Sequence, residues 1–215
     1  MNVSETNIAK PKLGDGVYTK RDVSAILKLP YNKVSRWMDG FWGEYTFGIK
    51  GNKFVNFKTL IEFYTFYHLR ENGFTSQRIK KIHSIIAKDL NTPYPFARKI
   101  HTDEKDIYYE LFDNLIKADK KKQFDIKPLL IPFLKKIEFN EEEIADKYYP
   151  LENSKRVVVD PKLQFGQPTI TGTGIKAEII NGFVKGGASK ETICKLYHLD
   201  IEQVEDAILY FKRSA

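Results

Sequence analysis

Cysteine is nearly absent: Cys194 is the only one in 215 residues. That excludes an intramolecular disulfide and any cysteine-rich zinc site. Its neighbours Ile193, Leu196 and Tyr197 place it on an apolar helix face, as a packing thiol. Long apolar runs are missing too. No stretch approaches the roughly 20 residues of a membrane span, and the polar segment from Met1 to Gly16 lacks the apolar core of a signal peptide. A soluble, cytoplasmic protein is expected. The four histidines are scattered, and the acidic run Glu141-Glu142-Glu143 has no histidine partner. No catalytic set, metal site or cofactor is therefore expected, and the chain is not read as an enzyme. Gly172-Thr173-Gly174 lacks both the lysine of a P-loop and a full dinucleotide fingerprint, so it reads as a structural turn.

Rings and positive charge are plentiful. Fifteen Phe, twelve Tyr and two Trp, within 42% apolar residues, are enough for substantial cores. The net charge of +7 is uneven: residues 1–100 carry +9, residues 101–155 carry −3 and residues 156–215 carry +1. A polyanion would therefore bind the first part of the chain.

Thr19-Lys20-Arg21-Asp22 has the form of a helix start, with a capping threonine and an acid at the positive end. Val23, Ile26 and Leu27 then share one face. Pro30 suits the first position of a second helix, where its missing N–H is harmless. On that helix Tyr31, Val34, Trp37 and Met38 share a face, and Gly40 ends it. Asn32, Lys33, Ser35, Arg36 and Asp39 lie on the other side. Asn32 and Arg36 stand one turn apart, and their side chains suit bidentate contacts to adenine and guanine.

Two strand-like runs follow, Glu44 to Ile49 and Phe54 to Phe57. Gly51-Asn52 between them reads as a two-residue hairpin turn, which puts Lys50 opposite Lys53. Like charges facing each other are mildly destabilising, and a phosphate between them would relieve the repulsion. Helix, turn, helix and basic-tipped hairpin together make a winged helix-turn-helix. A ring-rich helix (59–72) and a helix capped by Thr75 (76–90) come next. The first is apolar nearly all round and needs cover, from this domain or from a second copy. His68 and His83 on these helices are packing residues. This run, with Leu69-Arg70-Glu71-Asn72-Gly73 between the two helices, resembles the MerR-like winged helix-turn-helix group. The resemblance implies that Asn32, Lys33, Ser35 and Arg36 enter the major groove, while Lys50, Asn52 and Lys53 reach the flanking backbone. Lys20 and Arg21 add to phosphate neutralisation.

The prolines of Asn91-Thr92-Pro93-Tyr94-Pro95 mark a break. Beyond it, 96–101 and 107–111 read as a second hairpin. A lysine run (Lys120-Lys121-Lys122), an apolar patch (Leu129 to Leu134) and an acidic helical stretch at Glu141 to Glu143 follow. From Val157 the punctuation sharpens: a strand, the turn-rich segment from Phe165 to Ile175, and three helices. Ser189 caps the second of these and Asp200 the third. Val204, Ala207, Ile208 and Phe211 form the buried stripe of the last.

The segment FGQPTITGTGI (165–175) with its three helices resembles a short helix-turn-helix family with a GxPxIxGTRI signature, found in antitoxins of the VapB type. Gly174 replaces the usual arginine. The resemblance implies a partner resembling a PIN-domain ribonuclease toxin. The expected fold is mainly α with small β elements (α+β). It comprises a flexible tail (1–16), a winged helix-turn-helix (17–91), an α+β connector (92–155) and a C-terminal helix-turn-helix domain (156–215). The expected function is a type II antitoxin that binds double-stranded DNA at its own promoter as a homodimer and neutralises the toxin by direct binding. The alternative is a stand-alone MerR-like regulator without a toxin.

Overall fold

A computed structural model describes residues 11–49, 51–102, 107–111, 114–117 and 132–212. Lys50, the lysine run 120–122 and the apolar residues 129–131 lie outside these. The chain is mainly α with small sheets, as expected, and divides into two compact units. One unit joins residues 10–57 to 146–215; the other holds residues 58–145. Among the described residues no helix is long and apolar enough to cross a membrane.

The first unit opens with a turn at Lys12–Asp15, whose Asp15 carbonyl accepts from the Phe57 N–H (2.8 Å). Strand β1 (Tyr18–Thr19) leads into helix α1 (Lys20–Leu27). Thr19 caps α1 as expected: its hydroxyl accepts from the Asp22 N–H, and the Asp22 carboxylate accepts from the Thr19 N–H (2.8 Å). Val23, Ile26 and Leu27 are buried. Helix α2 runs Tyr31–Asp39, with Pro30 just before it as the cap residue rather than inside it. Gly40 ends α2 for a steric reason, since a Cβ there would stand 2.7 Å from the Arg36 carbonyl.

Strands β2 (Phe47–Ile49) and β3 (Asn52–Val55) form the hairpin, and β1 pairs with the other edge of β3. The hairpin register corrects the expectation. Ile49 pairs with Asn52 and Gly48 with Lys53, so the loop is 50–51 rather than 51–52. The physical reason is Gly51, whose φ of +90° supplies the positive φ at the second loop position. Lys53 therefore has Gly48 as its cross-strand partner, not the lysine expected there, and that expected pairing is withdrawn.

In the second unit, helix α3 spans Phe57–Glu71, starting two residues earlier than expected, and α4 spans Ser76–Asp89 behind its Thr75 cap. Leu60, Ile61, Phe63, Tyr64, Phe66 and Leu69 of α3 are buried within this single chain. The need to cover α3 therefore no longer argues for a second copy. The Tyr64 hydroxyl donates to the Phe133 carbonyl (2.8 Å), and the His68 ring stacks on Phe133 at 4.7 Å. Ile79, Ile82 and Ile86 line the inner face of α4. The expected second hairpin is present as β4 (Ile100–Thr102) and β5 (Ile107–Leu111), joined by an unanticipated third strand, β6 (Asn114–Lys117). Strand β7 is Ile137–Phe139. Glu141 to Glu143 are a turn, not a helix. Asn140 Oδ1 accepts from the Glu142 and Ile144 N–H groups (3.1 and 2.9 Å), an Asx geometry that competes with helix formation.

The first unit resumes with β8 (Ala145–Tyr148), β9 (Val157–Val158) and β10 (Thr169–Ile170), then α5 (Ala177–Lys185), α6 (Lys190–Tyr197) and α7 (Ile201–Lys212). Val157, Ile170, Ile180, Ile193 and Val204 are fully buried in one core. Each is worth about 1.5–3 kcal/mol relative to exposure. Leu196, expected on the buried face of α6, is exposed. Two sets of contacts join this part to the first. The Val17 N–H donates to the Phe165 carbonyl (3.0 Å), and Lys28 Nζ donates to the Tyr210 carbonyl (3.2 Å) while lying 4.3 Å from the Tyr210 ring.

Candidate nucleic-acid interface

The first turn of α1, the last turn of α2 and strand β3 meet at one carboxylate. Lys20 Nζ donates to Asp39 Oδ2 (2.7 Å) and to Ser35 Oγ (3.0 Å). Lys53 Nζ lies 3.1 Å from Asp39 Oδ1 and donates to the Met38 carbonyl (3.3 Å). The Ser35 hydroxyl also donates to Asp39 (3.2 Å). Hydrogen bonds from Lys20 and then Lys53 hold the Asp39 carboxyl down at about 2. It is ionised at neutral pH.

Beside this cluster, Thr19, Lys20, Arg21, Tyr31, Gly51, Asn52 and Lys53 line a shallow notch of about 330 Å³. Four of the residues selected from the sequence, Lys20, Arg21, Asn52 and Lys53, are thus brought together although they come from two segments of the chain. Asn32 and Arg36 are exposed on α2 one turn apart, and Lys33 and Ser35 are half-buried. Ser35 spends its hydroxyl on Asp39. Tyr31 is corrected: it was expected on the apolar face with Val34 and Met38, but it is 48% exposed and forms a wall of the notch.

Asp39 is the residue that sequence reasoning left without a role. Its spacing from Ser35 (i, i+4) and Arg36 (i, i+3) was a signal that it shares their face. Its lysine partners, one on α1 and one on β3, were not visible from spacing.

The segment 165–175 acts as scaffold. Thr173 Oγ1 donates to the Ile170 carbonyl (2.9 Å) and accepts from the Ile175 N–H (3.1 Å), and the Ile170 N–H donates to the Ile175 carbonyl (2.8 Å). Gly172 and Gly174 take φ of +80° and +69° to close this turn. Gly174, standing where the signature has arginine, is thus a turn residue. The α5 helix that follows carries Glu178 in its first turn, a carboxylate where a cradled phosphate would need positive potential.

A buried pair in the second unit also escaped the sequence. Glu62 is fully buried, accepts from His83 Nε2 (2.8 Å) and takes the Phe96 and Ala97 N–H groups on its other oxygen (2.7 and 3.3 Å). The sequence marks His83 only as a packing residue. It packs against Phe96, and Glu62, 21 positions away in sequence, is its partner.

Comparison with known proteins bears on both ends of the chain. Residues 157–211 match a family model described as a protein of unknown function, DUF433. The chain is similar to "Putative antitoxin VapB45" of Mycobacterium tuberculosis, 20% identical over 89% of this chain and 92% of that one. A 69-residue stretch is 34% identical to the uncharacterized protein Rv2308 of the same organism, covering 32% of this chain and 27% of that protein. The crystal structure of Rv2018 from Mycobacterium tuberculosis superposes with a TM-score of 0.64 at 18% identity, over 89% of this chain and 96% of that one. The two share a fold.

Proposed function

We propose that this chain is a cytoplasmic DNA-binding antitoxin of a type II toxin–antitoxin system. It neutralises a PIN-like ribonuclease toxin by direct binding and represses its own promoter, and it performs no catalysis itself. The observation that carries the DNA half is the gathering of Lys20, Arg21, Asn52 and Lys53 around one notch, with Asn32 and Arg36 exposed on α2. Two helices followed by a hairpin sheet, in the order β1-β3-β2, support a MerR-like winged helix-turn-helix. In this reading α2 enters the major groove, where Asn32 and Arg36 meet base edges. The notch takes backbone phosphate, adding salt-dependent affinity without sequence preference. Two copies on two half-sites complete the operator complex.

The toxin half rests on likeness to a protein named as an antitoxin along nearly the whole of both chains. Neutralisation then needs only a complementary surface. The test is co-expression of a tagged copy with the product of the adjacent reading frame, followed by a ribonuclease assay on the purified complex. A stable complex with a silenced nuclease supports the proposal. Two folded proteins that do not associate would leave the stand-alone regulator in its place.

A further inference from the structure

Asp39 places a negative charge on the face that is read here as meeting DNA, and stability does not explain it. It is the last residue of α2, where a carboxylate opposes the helix dipole. It is half exposed, and ion pairs at such sites add little to folding. Yet each of its oxygens is taken by a different lysine, at 2.7 and 3.1 Å, from two elements that both line the notch. A carboxylate held between two ammonium groups has the charge and the acceptor geometry of a phosphate edge.

We propose that Asp39 is a specificity-setting residue of the DNA-binding face. It acts as an intramolecular stand-in for a backbone phosphate and withholds Lys20 and Lys53 from DNA until helix α2 is correctly seated. This rests on the DNA-binding reading above. The physical consequence lies in counterions. Lysines held by Asp39 neutralise fewer phosphates of random DNA, so fewer of the cations condensed on that duplex are released. Such DNA must compete with a carboxylate that is tethered in place. A cognate duplex, positioned by Asn32 and Arg36, presents its phosphate at the notch at high effective concentration and displaces the carboxylate. Asp39 thereby weakens random binding more than cognate binding, a repulsive element of the kind specificity requires.

The test uses the full chain, wild type and the variants Asp39→Asn and Asp39→Ala. Each is titrated by fluorescence anisotropy on a random-sequence duplex and on the DNA immediately upstream of its own gene. Releasing two lysines should steepen the salt slope on random DNA by up to about 1.8, so that affinity falls roughly tenfold more than for wild type between about 50 and 200 mM salt. Both variants should bind random DNA more tightly at low salt, with a narrowed preference for the upstream sequence. An unchanged or shallower slope, with the preference intact and the melting temperature unaltered, would overturn the assignment. So would a loss of affinity on both duplexes at constant slope, which would make Asp39 a strut. Wild-type protein that binds neither duplex at any salt would remove the DNA reading itself, and this inference with it.

Discussion

Tyr18 and Gly166, 148 positions apart in sequence, are packed so closely that no side chain fits between them. A Cβ on Gly166 would overlap the Tyr18 hydroxyl, and Gly166 also takes a φ of +84°. Gly16 flanks the same ring, at 2.8 Å from a Cβ position to the hydroxyl. The glycine of the FGQP segment is thus the floor on which strand β1 rests. Gly166→Ala should destabilise the protein by about 2–4 kcal/mol, from positive-φ strain plus overpacking. Urea unfolding measures it. Pairing it with Tyr18→Phe should recover part of the loss, because the hydroxyl is the nearest obstruction.

Tyr18→Phe alone should be neutral or stabilising. The Tyr18 hydroxyl is buried with no hydrogen-bond partner among the described residues. Burial, with help from Asp160 and Asp22, pushes its pKa well above the ordinary value. Removing an unsatisfied buried hydroxyl returns its desolvation cost, on the order of 1 kcal/mol. A fall in stability of that size on substitution would show that the hydroxyl has a partner.

Glu62 should be among the most sensitive positions in the chain. Glu62→Ala removes the carboxylate that pairs with His83 Nε2 and accepts from the Phe96 and Ala97 N–H groups in the core. The expected cost is about 3–5 kcal/mol, and Glu62→Gln, which still accepts on one oxygen, should lose less. Equal losses for the two variants would contradict the hydrogen-bond account.

How much of this was legible in the sequence follows from distance along the chain. The Thr19–Asp22 capping box and the Thr75 cap each lie within four residues, and both were readable because the caps and the apolar periodicity are local signals. So was the glycine-rich turn of 165–175, although its packing on Tyr18 was not. The hairpin slipped by one residue because Gly51-Asn52 and residues 50–51 both satisfy turn chemistry, and only the backbone at Gly51 separates them. Glu141 to Glu143 misled because acidic runs favour helix starts, whereas Asn140 turned the chain. The Lys20–Asp39–Lys53 cluster and the Glu62–His83 pair join residues 14 to 21 positions apart on different elements. No local pattern encodes such pairings. The same holds for a compact unit assembled from residues 10–57 and 146–215.

Stability should depend on pH through His68. Burial first, and then the nearby Lys136 charge, lower its pKa from 6.5 to about 4. The folded state therefore disfavours the protonated ring that the unfolded chain accepts. Stability should be fully present above about pH 6.5 and decline as pH falls towards 4, since the unfolded state then binds more protons. The site is only partly buried, so solvent screening reduces the size of the effect. His68→Phe, which keeps a ring against Phe133, should flatten this part of the profile in urea titrations. An identical slope in wild type and variant would assign it to other groups.

In the function proposed above, α2 and the adjacent notch read DNA. It is tested most directly by the affinity of the full chain for the DNA upstream of its own gene, measured across a salt series beside the Asn32→Ala, Arg36→Ala double variant. The wild type should bind with salt-dependent affinity. The double variant should lose about 1–3 kcal/mol of sequence discrimination per residue yet keep its residual affinity for random DNA. No binding by the wild type even at low salt, or equal discrimination by the double variant, would contradict it.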